Sequence, residues 1–212
     1  MLLNHNRAFQ LIKLLDKSIK NPKTSLKYRN RFTLLTSVVL SAQCTDLNVN
    51  NVTKNIYKKY YTPEHFVNLG INKIKNLIKK IGLFNNKAKN LYNLSKILLE
   101  RYQSKVPNKF EDLISLPGVG RKTANVVLNA AFNKATIAVD THVFRVANRT
   151  GLSNGESPEK VESQLLKILP TKHLKKAHHL ILLHGRYTCK ARNPLCKTCI
   201  INKICLYKEK YE

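Results

Sequence analysis

Acidic residues are scarce in this chain of 212 residues: Asp and Glu number 12 against 38 Lys and Arg, a formal charge of +26. That excess is too large for an ordinary solvated surface and points to a polyanionic partner. Lys, Asn and Ile are used heavily throughout, so the charge argues for nucleic acid without locating where it binds. Long apolar runs are also missing. The most apolar stretch, Phe32 to Ala42, is interrupted by Ser and Thr and falls short of the about 20 residues that a bilayer span needs. The first residues, Met1-Leu2-Leu3-Asn4-His5-Asn6-Arg7, lack the apolar core and small-residue cleavage site of a secretory signal, and a soluble intracellular protein is expected. Cysteines number five, four of them bunched near the C-terminus, which excludes a secreted disulfide framework and suits a reducing compartment. No alternating run is long enough for a sheet, and there is no low-complexity segment or clear internal repeat.

What is present is helical periodicity. Val49, Val52, Ile56 and Tyr60 form one stripe, and Ala88, Leu91, Leu94 and Leu98 another. Thr62-Pro63-Glu64 and Ser157-Pro158-Glu159 read as N-cap, first-turn proline and first-turn acid, while Gly70, Gly82 and Gly151 sit where helices should stop. The expected fold class is all-α, and 43% hydrophobic residues suffice for a packed core in one large domain or two small ones.

The stretch Leu113-Ile114-Ser115-Leu116-Pro117-Gly118-Val119-Gly120-Arg121-Lys122-Thr123-Ala124 reads as a helix end, a tight turn and a new helix. Pro117 stops the first helix, and Gly118 and Gly120 are expected to supply turn dihedrals without a Cβ penalty. The glycines let a phosphate approach the backbone, and the new helix aims its N–H groups at it, a clamp that reads no bases. Lys122 stands at the positive end of that helix beside Arg121, where its amine is a candidate nucleophile. Asp140 closes the apolar Ile137-Ala138-Val139 and precedes a helical stretch, which makes it an N-cap candidate as well as a carboxylate available for chemistry.

Cys189, Cys196, Cys199 and Cys205 leave intervals of six, two and five residues. Four thiolates at that density can enclose tetrahedral zinc or a [4Fe-4S] cluster, although zinc knuckles favour paired C-x-x-C and here there is one such pair. Lys190 and Arg192 lie in the loop from Cys189 to Cys196, either as a basic finger for phosphates or as a solvated charged loop. Cys44 is expected to be a buried free thiol, and Asp46 a helix cap. His178, His179 and His184 are read as packing or surface residues, with His184 a possible donor to the cysteine site.

These motifs, with Leu34 to Gln43, Ile81-Gly82-Leu83-Phe84-Asn85, Val139 to Arg145 and Leu183 to Cys189, resemble the helix-hairpin-helix DNA glycosylase superfamily, in particular its endonuclease III branch. The resemblance runs from Leu34 to the last cysteine. It implies a helical-barrel domain at residues 24–134 containing the hairpin, and an iron-sulfur domain made of residues 1–23 with 135–212. Periodicity alone does not reveal that division. The interdomain cleft is then expected beside Lys122 and Asp140.

It further implies Lys122 as the catalytic lysine, Asp140 as the catalytic carboxylate and a [4Fe-4S] cluster on the four cysteines. Gln43 and Leu83 match the family's intercalating residues, against the plainer readings of a helix-terminal Gln and a core Leu. The implied activity removes oxidised pyrimidines from double-stranded DNA and then cleaves the strand at the abasic site. A monomer acting in a bacterial cytoplasm or nucleoid, with no membrane partner, is expected. Two alternatives stay open on sequence: a monofunctional glycosylase of the same superfamily, and a non-catalytic DNA-binding module.

Overall fold

The computed structural model describes residues 2–211; Met1 and Glu212 lie outside the described residues. Ten α-helices are found among them: α1 (His5–Ser18), α2 (Arg31–Leu40), α3 (Asp46–Lys59), α4 (Pro63–Ile78), α5 (Phe84–Tyr102), α6 (Phe110–Ile114), α7 (Arg121–Phe132), α8 (Thr141–Thr150), α9 (Pro158–Ile168) and α10 (Thr171–Tyr187). A 3-10 turn follows at Lys208–Tyr211, and the described residues contain no strand, so the fold is all-α as expected. None of these helices is long and apolar enough to cross a membrane. The chain packs as two compact units, one of Ser25–Phe132 and one of Met1–Thr24 with Asn133–Glu212.

In the first unit, α2 is buried from Phe32 to Leu40, including Thr33, Thr36 and Ser37. Its hydroxyls survive burial because they find partners: Thr36 Oγ1 and Ser37 Oγ each hydrogen-bond the Tyr57 hydroxyl at 2.8 Å. Burial pushes the Tyr57 pKa up to about 12, so that hydroxyl keeps its proton. The α5 stripe Ala88, Leu91, Leu94 and Leu98 is fully buried, and Val49 and Ile56 of α3 face the same core with Val52 and Tyr60 at its margin. Thr62 accepts from the His65 N–H at the start of α4, with Pro63 in the first turn, as read from sequence. Gly70, with φ 68° and ψ 164°, interrupts α4, so that one helical segment stops there as expected and a second follows directly.

In the second unit, Ala8, Leu11, Ile12 and Leu15 of α1 pack with Val143, Val146, Leu165, Ala177, Leu180 and Ile181. The entry to α1 is tied down by the Leu3 N–H, which donates to the Gly151 carbonyl at 2.8 Å. Ser157 caps α9 and Gly151 ends α8 at φ 82°, both as expected. Because Leu94 is fully enclosed, Leu94→Ala is expected to cost about 2–5 kcal/mol in chemical denaturation. Leu99→Ala, at an exposed position on the same helix, is expected to cost about 0.5 kcal/mol or less. Equal losses would show that the stripe does not form the core.

Candidate nucleic-acid interface and cysteine site

The hairpin sorts its residues by alternation. Leu113, Leu116, Val119 and Ala124 are buried and anchor the turn, whereas Gly118 and Gly120 between them are exposed. The Leu116 N–H donates to the Leu113 carbonyl and the Val119 N–H to Leu116, each at 3.1 Å, so α6 closes in two tight turns before α7 begins. Gly118 has φ 79°, and a Cβ there would meet Asn90 Nδ2 of α5 at 2.9 Å. Gly120 differs from its expected role, since its φ is not in the left-handed region and a Cβ would meet nothing within 4 Å. The turn itself does not require glycine at 120. Arg121 and Lys122 open α7, both exposed, with the Arg121 guanidinium 5.1 Å from the Phe110 ring centroid.

Two further candidates lie in this unit. Gln43 follows the end of α2 at φ 54° and is exposed. Leu83 precedes α5 at φ 59° and is 58% exposed, which rules out the reading of a core leucine. Among the described non-glycine residues with positive φ, Leu83 alone has a hydrocarbon side chain. Such a conformation costs an L-residue roughly 1–2 kcal/mol, and persists only where the surroundings fix it. Next to these turns Cys44 is half-buried rather than buried, its Sγ accepting from Asn48 Nδ2 at 3.2 Å. Thr45, not Asp46, caps α3, and Asp46 occupies its first turn.

Lys87 was not singled out from sequence. It is 5% exposed, and its Nζ donates to the Leu40 carbonyl at 3.0 Å and the Ala42 carbonyl at 2.6 Å. Burial lowers its pKa, partly countered by the charge of Cys44. The available signal was its place one turn before Leu91, on the apolar stripe of α5.

In the second unit Asp140 is half-buried, held by buried Ile137, Ala138 and Val139. It is the N-cap of α8, Oδ1 accepting from the Val143 N–H at 2.8 Å. Lys122 and Asp140 thus belong to different units.

The four C-terminal cysteines together line one pocket, with His184, Ile201 and Tyr207 among its walls. His184 is buried, its Nε2 3.7 Å from Cys199 Sγ, and burial brings its pKa down to about 4, so the ring is neutral at physiological pH. The Cys199 thiol is pushed up by burial and by the charge of the three other cysteines. Donors reach the sulfurs: the Tyr207 N–H lies 3.5 Å from Cys205 Sγ and Arg149 Nη1 3.9 Å from Cys189 Sγ. Among the described residues no three His, Cys, Asp or Glu side chains gather as a single-ion metal site would require. Four cysteines on one pocket are a donor set that suits either a [4Fe-4S] cluster or a tetrahedral zinc ion.

Lys190 and Arg192 are exposed. The loop carrying them is held through its backbone, because Arg149 donates to the Lys190 and Ala191 carbonyls at 2.7 and 3.1 Å. Arg145 adds bonds to the Cys189 and Gly185 carbonyls at 3.0 and 2.8 Å. Arg149 was not singled out from sequence, and Arg145 entered only as the end of the Val139 to Arg145 stretch, without a role at the cysteine loop.

Residues 36–171 match the family described as HhH-GPD superfamily base excision DNA repair protein. The chain belongs to the HhH-GPD superfamily. It is 57% identical over 202 residues to endonuclease III of Rickettsia conorii, covering 95% of each chain. With endonuclease III of Escherichia coli K12 it shares 47% identity over 210 residues, 99% of this chain and all of the other. A solved structure of a trapped endonuclease III–DNA covalent intermediate superposes with a TM-score of 0.91 at 40% identity, covering 99% of this chain and 98% of that one. The superfamily segment takes in the hairpin, Lys122 and Asp140 and ends before the four C-terminal cysteines.

The two hairpin glycines are expected to respond differently to substitution. Gly118→Ala faces both the left-handed φ and the Asn90 contact and is expected to cost on the order of 1–2 kcal/mol. Gly120→Ala is expected to change stability by about 0.5 kcal/mol or less and to weaken DNA binding alone. Matching melting temperatures for the two variants would remove the distinction.

Proposed function

We propose that the chain is a base-excision repair DNA glycosylase that removes oxidised pyrimidines from duplex DNA and then cleaves the strand as an AP lyase. The reading is carried by the exposed lysine at the end of the Leu-Pro-Gly-Val-Gly hairpin in a member of the HhH-GPD superfamily. The similarity to endonuclease III relatives, and to one solved as a covalent intermediate with DNA, supports it. Residues 24–134 act as the helical-barrel domain, and residues 1–23 with 135–212 as the iron-sulfur domain.

The damaged base lies inside a stack, so the nucleotide must be turned out before C1′ can be reached. Gln43 and Leu83 enter the gap, the amide pairing with the orphaned base and the aliphatic chain holding the stack apart. Gly118, Gly120 and Arg121 bind backbone phosphate, as do Lys190 and Arg192. The Lys122 amine attacks C1′ and the glycosidic bond breaks, its electron pair leaving with the base, which takes up a proton. Asp140 stabilises the positive charge that develops on the sugar and relays protons as the ring opens to an imine. Loss of a C2′ proton then expels the 3′ phosphate. Asp140 serves this chemistry while its Oδ1 caps α8.

Cys189, Cys196, Cys199 and Cys205 would hold a [4Fe-4S] cluster, which would tie the C-terminal loop together as a crosslink. The donor set leaves no open position for substrate, and Arg149 and Arg145 fix the loop backbone from the protein side. Cys199→Ser is expected to lower iron from about four per chain and to abolish the visible charge-transfer absorbance. Zinc in place of iron in the purified protein would overturn the cluster.

The experiment that tests the activity is cleavage of a duplex with one thymine glycol, with borohydride in a parallel reaction. Wild-type protein is expected to release the base, nick the strand and form a trapped covalent complex. Lys122→Gln is expected to lose the trapped complex while still binding DNA; retained trapping would refute the lysine's role. Because Asn caps helices as well as Asp, Asp140→Asn is expected to alter stability by about 0.5 kcal/mol or less. Its rate of base release is expected to fall on the order of 10²-fold, and an unchanged rate would leave Asp140 with capping alone.

A further inference from the structure

Gln43 and Leu83 stand on separate turns some forty residues apart in sequence, yet two sets of hydrogen bonds join those turns. From α5, Lys87 reaches the Leu40 and Ala42 carbonyls, on the chain immediately before Gln43. From α3, Asn48 Nδ2 donates to the Lys80 carbonyl at 3.2 Å, three residues before Leu83, and to Cys44 Sγ immediately after Gln43. Lys87 therefore supplies donors to carbonyls that the end of α2 leaves without intrahelical partners, and its charge sits at the negative end of that helix. An ammonium is costly to bury for structural convenience alone, and nearly every other lysine of this chain keeps its head in water.

We propose that Lys87 is a positioning residue for base extrusion, locking the Gln43 turn to the Leu83 turn so that both side chains enter the stack as one rigid insert. Asn48 is the second fastening of the same device. The proposal rests on the reading of the chain as a glycosylase that extrudes its target. Its physical content is that two strained left-handed residues, each unable to hold its conformation alone, are braced by shared bonds. A loose insert would still meet DNA through the phosphate contacts but would fill the gap poorly.

The test uses a duplex with thymine glycol opposite 2-aminopurine, whose fluorescence rises when it loses its stacked partner. Wild type, Lys87→Met, Asn48→Ala, Gln43→Ala and the Lys87→Met/Gln43→Ala pair are followed through a single turnover. Lys87→Met is expected to slow the fluorescence rise about 10-fold to 100-fold, with affinity for undamaged duplex within about twofold of wild type. In the Gln43→Ala background it is expected to add about twofold or less, because the two substitutions remove the same function. A folded Lys87→Met protein with the wild-type fluorescence rate, or fully additive effects, overturns the proposal. If Lys87→Met does not fold, Asn48→Ala decides: a slowed rise with unchanged affinity for undamaged duplex supports it, and a wild-type rise overturns it. If wild type itself neither releases the base nor forms a borohydride-trapped complex, the glycosylase reading fails and takes this inference with it.

Discussion

Leu91, Leu94 and Leu98 have no exposure, and the requirement that one stripe of α5 be sealed against α2 and α4 fixes that helix in rotation. Once the stripe is inward, helical geometry decides what every other residue of α5 can reach. Lys87 lies one turn before Leu91 and meets the end of α2. Asn90 comes three residues later and lies where a Cβ on Gly118 would be, so it sets the clearance under the hairpin. Leu83 ends up at the exposed start of the same helix. Three features far apart in the chain are thereby indexed to a single buried surface.

In the other unit, α8 has a comparable part. Its apolar face is buried through Val143, Val146 and Ala147, while Asp140 caps it and Arg145 and Arg149 leave its opposite side to hold the cysteine loop. Gly185 of α10 permits this arrangement, since a Cβ there would meet Val146 Cγ2 at 2.9 Å. The arginines spend their hydrogen bonds on backbone carbonyls, which orders the loop and leaves Lys190 and Arg192 exposed to solvent. A half-buried carboxylate whose Oδ1 is engaged by a backbone N–H is held in one orientation, a useful property in a charged group.

Sequence conveyed most where the governing physics is local. Thr62-Pro63, Ser157-Pro158 and Asp140 were readable as caps because capping involves residues three apart. The α5 stripe was readable because burial repeats every turn. Leu83 was ambiguous, since a leucine after glycine looks like core until the backbone is known to turn left-handed there. Gly120 resembled Gly118 on paper, but only Gly118 meets a neighbour from a distant helix. Lys87, Arg145 and Arg149 were lost among 38 basic residues because their partners are carbonyls about forty residues away in sequence, which no local pattern encodes.

The unit containing α1 is assembled from two segments of the chain, with Ser25–Phe132 inserted between them. During synthesis α1 emerges before the inserted unit, carrying Ala8, Leu11, Ile12 and Leu15 as an apolar face whose partners on α8, α9 and α10 are more than a hundred residues away. The inserted unit has all its own helices as soon as residue 132 is made, and domains generally fold as they are completed. For that interval α1 is an unsatisfied amphipathic segment, and closing it onto α10 requires a loop as long as the whole inserted unit, slow in proportion to its entropy. Until those helices are made, the apolar face of α1 is the part of its unit most open to aggregation, and the segment that covers it is separated from it by a complete unit.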